Sequence, residues 1–220
     1  MKKKPTKVKT ENWNLLWLKY KKINEKKIRK FIDVFNLYKI PKDKRIIDIG
    51  CGSGELLHVF QKRGYKYLMG IEPERELFKQ GDLIQRGNCL DLSNIKKSYD
   101  IVFMFGVLHH LKNFGEMKLC LQNVKKIMKK EGSFYSIEPY NSLLRTLITK
   151  AILETPLCNI HPFFKIHSKL WGREKVEFNH WLKAEKKFTA YAKNQDFKIV
   201  FFKKDIRYRY IIFKNINKLK

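Results

Sequence analysis

The sequence predicts an α/β fold, with helices on both faces of a mostly parallel sheet that ends in an antiparallel pair. Three observations carry this. Short apolar runs alternate with longer amphipathic segments along the chain. One run, residues 100–105, is continuously apolar after a single acid, as suits a strand covered on both faces. Near the carboxyl end, residues 197–202 and 208–213 are separated only by a short charged connection around Asp205, which suits a hairpin.

Residues 11–38 are helical in period. Trp13, Leu16, Trp17, Tyr20, Ile28, Phe31, Ile32 and Phe35 return roughly every three or four positions before Pro41 closes the segment. A buried strand follows at 45–49, then a helix at 55–63 stopped by Gly64, a second strand at 66–71, a short helix at 73–79 and a weak third strand at 83–86. After the strand at 100–105 come a helix at 115–130 and a strand at 133–137. Between Glu138 and Trp181 no strand pattern occurs. That stretch holds an amphipathic piece (Leu143, Leu144, Leu147, Ile148) and an aromatic loop with His161, His167 and Trp171. It is too long for a plain crossover and follows a strand edge of the kind where open α/β sheets bind ligands. It therefore reads as a lid or substrate wall, with a structural flap or dimer contact as the alternative. One domain, 1–220, divides into a basic helical segment at 1–40, a core at 41–139, the lid-like insertion at 140–182, and a helix with the hairpin at 183–220.

The 220 residues carry 48 Lys plus Arg against 21 Asp plus Glu, a formal net charge of +27, and 44% are hydrophobic. A chain of this length buries roughly 70% of its unfolded surface, so it builds a core and is not globally disordered. No run of about 18 apolar residues occurs, and no apolar stretch follows the charged amino terminus. A spanning helix and a secretory signal are not expected, and the chain reads as cytoplasmic. Cys51, Cys89, Cys120 and Cys158 lie about thirty to forty residues apart, a spacing that predicts neither a disulfide framework nor a metal site. Lys outnumbers Arg about four to one, and Ile and Asn are abundant, as in a coding sequence rich in A and T. About twelve basic residues in 1–30 and about seven in 203–220 are also what RNA or an anionic membrane surface would contact. The charge by itself selects no substrate.

The chemistry begins at residues 45–55. An apolar strand runs through Ile47 and Ile49 into Gly50, Gly52 and Gly54 and then directly into a helix. Glycines there let a ligand approach the main chain, and such a turn serves a dinucleotide or another adenosine ligand. Asp48 suits a cationic amino group better than a pyrophosphate, and the P-loop pattern is absent. About twenty residues on, the second strand delivers Glu72, a carboxylate able to accept ribose hydroxyls or to start a helix. After the third strand, Asn88 can read an adenine edge.

With these residues the chain resembles the class I S-adenosylmethionine-dependent methyltransferases, above all the small-molecule branch with the ubiquinone and menaquinone enzymes. The resemblance covers about residues 45–139: the loop from Asp48 to Gly54, Glu72, 87–91, 99–111 and 131–139. It implies a Rossmann-like, seven-stranded sheet and S-adenosyl-L-methionine as cofactor. Asp48 and the backbone of Gly50, Cys51 and Gly52 would hold the methionine portion, Glu72 the ribose, and Asn88 with the Cys89 backbone the adenine. Phe105 ends the fourth strand on the cofactor edge, and many relatives carry Asp where Asn88 stands. His109 and His110 follow, each a candidate base for an acceptor hydroxyl, with packing or helix anchoring as the alternative. Neither a Pro-Pro-aromatic turn nor a cysteine follows that strand, against methylation of nucleic-acid bases. A similar Val-Leu-His-His segment occurs in some tRNA wobble-modifying methyltransferases, so an RNA acceptor stays open. Residues 138–145 and the insertion resemble methyltransferases of polysaccharide and glycolipid gene clusters. Together these imply methyl transfer to a hydroxyl of a small or lipid- or sugar-linked acceptor, with Glu138, His161, His167 and His180 as candidate pocket groups. A cofactor-binding module without turnover is the remaining alternative.

Overall fold

The computed structural model describes residues 21–78, 83–96, 98–140, 142–160 and 162–216, some helical positions by their backbone alone. The helix expected from residue 11 is seen as α1, Lys21–Phe35, and its earlier part lies outside the described residues. Then follow β1 (Ile46–Ile49), α2 (Glu55–Lys62), β2 (Leu68–Glu72), β3 (Ile84–Arg86), β4 (Tyr99–Phe105), α3 (Phe114–Ile127) and β5 (Met128–Pro139). The chain continues through α4 (Leu143–Ile148) and α5 (Pro162–Asn194) to β6 (Phe197–Lys204) and β7 (Tyr208–Asn215).

The seven strands form one sheet in the order β3-β2-β1-β4-β5-β7-β6. All neighbours are parallel except β5 with β7 and β7 with β6. Strand alternation sends side chains into two cores. Ile47, Ile49, Val102, Met104 and Phe134 meet Met117, Cys120 and Leu121 of α3 and Trp181 and Phe188 of α5. Ile46, Ile101, Phe103, Ile137 and Tyr210 meet Phe31, Ile32 and Phe35 of α1 and Leu56 and Phe60 of α2. Both faces of β4 are therefore dry beyond Asp100, which is why residues 101–105 are apolar without interruption. Asp48 pairs with Gly70 on one side and Phe103 on the other, so β1, β2 and β4 end at a common edge.

Three elements differ from expectation. The helix expected to reach residue 130 stops at Ile127. Met128 is buried and pairs with Tyr99, and Lys129 Nζ lies 2.9 Å from Asp100 Oδ2. Sheet pairing and that ion pair recruit residues that helical periodicity alone assigns to the helix. The aromatic loop expected near His161 and Trp171 is instead the start of the 33-residue helix α5, which also runs through the expected boundary at 182. Pro162 stands at its first position, where proline's missing N–H costs nothing, and Phe164, Trp171 and Phe178 recur every seventh residue. The short helix at 73–79 reduces to a single 3-10 turn, Arg75–Leu77.

Helix α2 lies close against the sheet at Gly70. A Cβ there would meet Cys51 Sγ at 2.7 Å and Leu57 Cδ1 at 2.8 Å. Gly70→Ala is expected to destabilise the protein by about 1–3 kcal/mol through overpacking, lowering the melting temperature by several degrees in a calorimetric scan. An unchanged transition would mean that α2 shifts freely on the sheet.

Candidate active site

The β1-to-α2 turn works because Gly50, Gly52 and Gly54 all take positive φ, at 73°, 57° and 79°. A side chain at Gly50 would also strike Val107, whose Cγ2 lies 2.5 Å from the Cβ position. Gly50 and Cys51 donate their N–H groups to the Ile71 carbonyl at 2.7 and 3.2 Å, and Gly52 N–H donates to Glu72 Oε2 at 2.8 Å. These amides are engaged, unlike those of a phosphate-binding turn. The site instead presents acceptors. Asp48 is buried, and burial, with Glu72 and Glu55 adding repulsion, pushes its carboxyl up to about 8. Burial also raises Glu72, against hydrogen bonds from Glu74 N–H and Gly52 N–H. Among the described residues no cation offsets either acid. The Cys51 thiol is held protonated by burial and the same acids.

Beside Glu72, Ile71, Arg86, Gly87, Asn88, Leu92 and Ile95 line a cleft of about 190 Å³. Asn88 Oδ1 accepts from Leu90 N–H at 2.8 Å and Asp91 N–H at 3.2 Å, so this oxygen holds the turn. Its amide nitrogen remains the donor that can address a ring nitrogen of adenine. Asn123 fastens the turn from α3, donating to the carbonyls of Cys89 and Leu90.

At the end of β4 the chain makes a 3-10 turn, Leu108–His110. The buried Glu138 on β5 governs it. Its Oε1 accepts from Val107 N–H at 2.9 Å and Leu108 N–H at 2.8 Å, and its Oε2 lies 2.8 Å from His109 Nδ1. His109 packs edge-on to Phe178 of α5 at 5.7 Å, and Phe178 in turn meets Trp171 at 5.2 Å. His110 reaches the surface, yet desolvation by the surrounding protein, with His109 and Lys27 beside it, holds its imidazole down to about 3. It is neutral at physiological pH. Phe105 turns away from this edge, stacking on Phe35 at 5.9 Å and meeting Phe31 edge-on at 5.5 Å. Alternation along β4 decides this, because Phe103 and Phe105 share the face covered by α1.

Helix α5 is locked over the edge by Trp181, whose Nε1 donates to the Pro139 carbonyl at 2.7 Å, and by the buried Arg209, whose guanidinium lies 5.3 Å from the Trp181 ring. Of the late histidines, His161 and the side chain of His167 lie outside the described residues. His180 sits on α5 with Nε2 buried and without a hydrogen-bond partner. Glu138, His109 and Trp171 are each expected near the site from the sequence, but the pairing of Glu138 with His109, and Glu174 and Phe178, are not; the seven-residue aromatic spacing on α5 carries a signal for Phe178.

A methyltransferase-domain family model matches residues 20–200. The chain belongs to that family. Its cofactor is S-adenosyl-L-methionine, and the buried Asp48, with no cation beside it among the described residues, fits the cationic amino group of that molecule. Among relatives, a tRNA U34 carboxymethyltransferase of Sulfurimonas denitrificans is 32% identical over 108 residues, 44% of this chain and 34% of that protein. A protein of Encephalitozoon cuniculi that carries a methyltransferase name is 29% identical over 105 residues, 47% of each chain. The chain thus spans about a quarter to a half of the length of the curated relatives it matches. Among solved structures, a SAM-dependent methyltransferase of Methanosarcina mazei has a TM-score of 0.59 at 18% identity, covering 84% of this chain and 98% of its own. A plantazolicin methyltransferase in complex with SAH has a TM-score of 0.57 at 15% identity, covering 86% and 82%. Both likenesses are of fold.

An Asp48 that balances a cationic ligand would make the affinity for that ligand depend on pH. Below about pH 8 the ligand-free carboxyl is protonated, whereas a bound cation favours the carboxylate. Affinity is therefore expected to rise by up to about tenfold per pH unit towards pH 8 and then level off. Titration calorimetry in buffers of different ionisation enthalpy should register proton release at pH 7, and none in Asp48→Asn. The same shift makes the ligand-free protein lose stability from about pH 4 to pH 8, because there the unfolded chain ionises Asp48 freely. Asp48→Asn should flatten that decline in a pH series of melting temperatures.

Proposed function

We propose that this chain transfers the methyl group of S-adenosyl-L-methionine to a hydroxyl oxygen of a small or lipid- or sugar-linked acceptor. The observation that carries the reading is the buried Glu138 holding His109 at the carboxyl edge of β4. Nδ1 faces Glu138, so Nε2 is the nitrogen that addresses the acceptor hydroxyl. When bound, the cofactor supplies an electrophilic methyl on a sulfonium. The chain's own residues supply the rest. Asp48 balances the amino group, Glu72 accepts the ribose hydroxyls, and the backbone of Gly50 and Gly52 admits the ligand. Asn88, with the Cys89 backbone, meets the adenine. His109 orients the acceptor oxygen, and Phe178 and Trp171 exclude water beside it. Alignment of acceptor and methyl then carries much of the rate. His110 flanks the pair, and its weak basicity favours His109 for this role.

RNA is the second reading. The net charge of +27 and the tRNA-modifying names of relatives at 31–33% identity favour it.

Transfer of labelled methyl into a cell extract separated into RNA, protein, lipid, saccharide and metabolite fractions tests both. Label in a lipid, saccharide or metabolite fraction that survives ribonuclease is the expected result. Label lost on ribonuclease treatment, with activity falling as roughly the 0.7–0.9 power of salt per phosphate contact, would replace this reading with RNA. With the acceptor in hand, His109→Ala should reduce kcat at least tenfold with cofactor affinity within a few fold.

A further inference from the structure

The two histidines after β4 do not stand alone. One ligand atom from each of His109, His110 and Glu174 lies within 4.8 Å of the other two. Glu174 comes from α5, so the cluster forms only because that helix packs across the 3-10 turn. We infer that His109, His110 and Glu174 bind a divalent transition-metal ion.

The donor set selects the class of ion. Two imidazoles and one carboxylate suit zinc, iron(II), cobalt or nickel, whereas magnesium and calcium take oxygen ligands throughout. The surroundings supply what metal sites of this kind require. Glu138 lies 2.8 Å from His109 Nδ1 and is itself fixed by two backbone N–H groups. A carboxylate accepting from one imidazole nitrogen sets the tautomer and turns the other nitrogen, here Nε2, to the metal. Phe178 and Trp171 form an apolar wall along the same side. None of the cysteines takes part, which is why their spacing predicted no metal.

Three protein ligands leave at least one position open in a tetrahedral or larger coordination sphere. Val107, two residues before His109, touches the Gly50 position of the cofactor loop. With a metal on His109 Nε2 that nitrogen no longer meets the acceptor directly, and an oxygen ligand in the open position would be the acceptor hydroxyl. This last assignment rests on the acceptor reading above; the metal site does not.

The test uses the full chain, freed of metal by a chelator and titrated calorimetrically with zinc and with nickel. One equivalent should bind with micromolar or tighter affinity. Glu174→Gln and His110→Ala should each weaken binding at least tenfold, and Glu138→Gln by about 10–100-fold. Glu177→Gln, one turn along α5, should bind as the parent does. Nickel should also quench tryptophan fluorescence in the parent, and Trp171→Phe should lose most of that quenching. Absence of saturable binding, or equal binding by all variants, would overturn the site. A protein that binds metal through these residues but labels only RNA keeps the site and loses the acceptor. Full methyl transfer to a hydroxyl in the presence of chelator would instead remove the metal from the reaction.

Discussion

A single buried carboxylate determines how the working edge of this sheet is assembled. Glu138 stands at the end of β5 with almost no exposure, and an ion there loses its hydration. Three donors compensate it: the N–H groups of Val107 and Leu108 and the ring of His109. Hydrogen bonds to a charged group are worth about 1.5–3 kcal/mol each, so the turn after β4 is held where Glu138 needs it. That turn sets His109, brings Val107 against Gly50, and so fixes how closely the glycine turn approaches His109. Glu138 is thus both a structural clamp and the partner of the histidine at the site.

The cofactor side carries the opposite balance. Asp48 and Glu72 are buried at the ends of adjacent strands without a compensating cation among the described residues, and burial disfavours their ionisation. A fold optimised for stability alone would put apolar side chains there, as it does at Ile47, Ile49 and Ile71. A cationic ligand would relieve that cost, and its binding would then couple to proton release and to stability in one term.

Helix α5 joins the two halves. Its carboxyl-terminal half fills the core through Trp181 and Phe188, while its amino-terminal half carries Trp171, Glu174 and Phe178 over the turn. Trp181 hydrogen-bonded to the Pro139 carbonyl, and Arg209 beneath it, hold the helix next to the residue that follows Glu138. Anchored in the core in this way, the amino-terminal half of α5 and the sheet edge share one reference.

The layered α/β class, the glycine turn with Asp48, the acid at Glu72 and the final hairpin are local in origin. Strand alternation, turn chemistry and the spacing of apolar residues are written within windows of a few residues, and each of these elements appears where its window put it. The partners are not local. Glu138 reaches His109 across 29 positions, and Glu174 reaches it across more than sixty, through packing of a helix whose amino-terminal part reads as a loop because proline and histidine mask its seven-residue aromatic stripe. Phe105 lies on the face away from the cofactor edge because β4 alternates between two cores, a choice made by α1 and α5 together. The sequence by itself determined the class of fold and the cofactor that its edge serves. Only the tertiary structure decided which histidine is paired and what stands opposite it, because those contacts depend on sheet order and helix docking, which no short stretch of chain encodes.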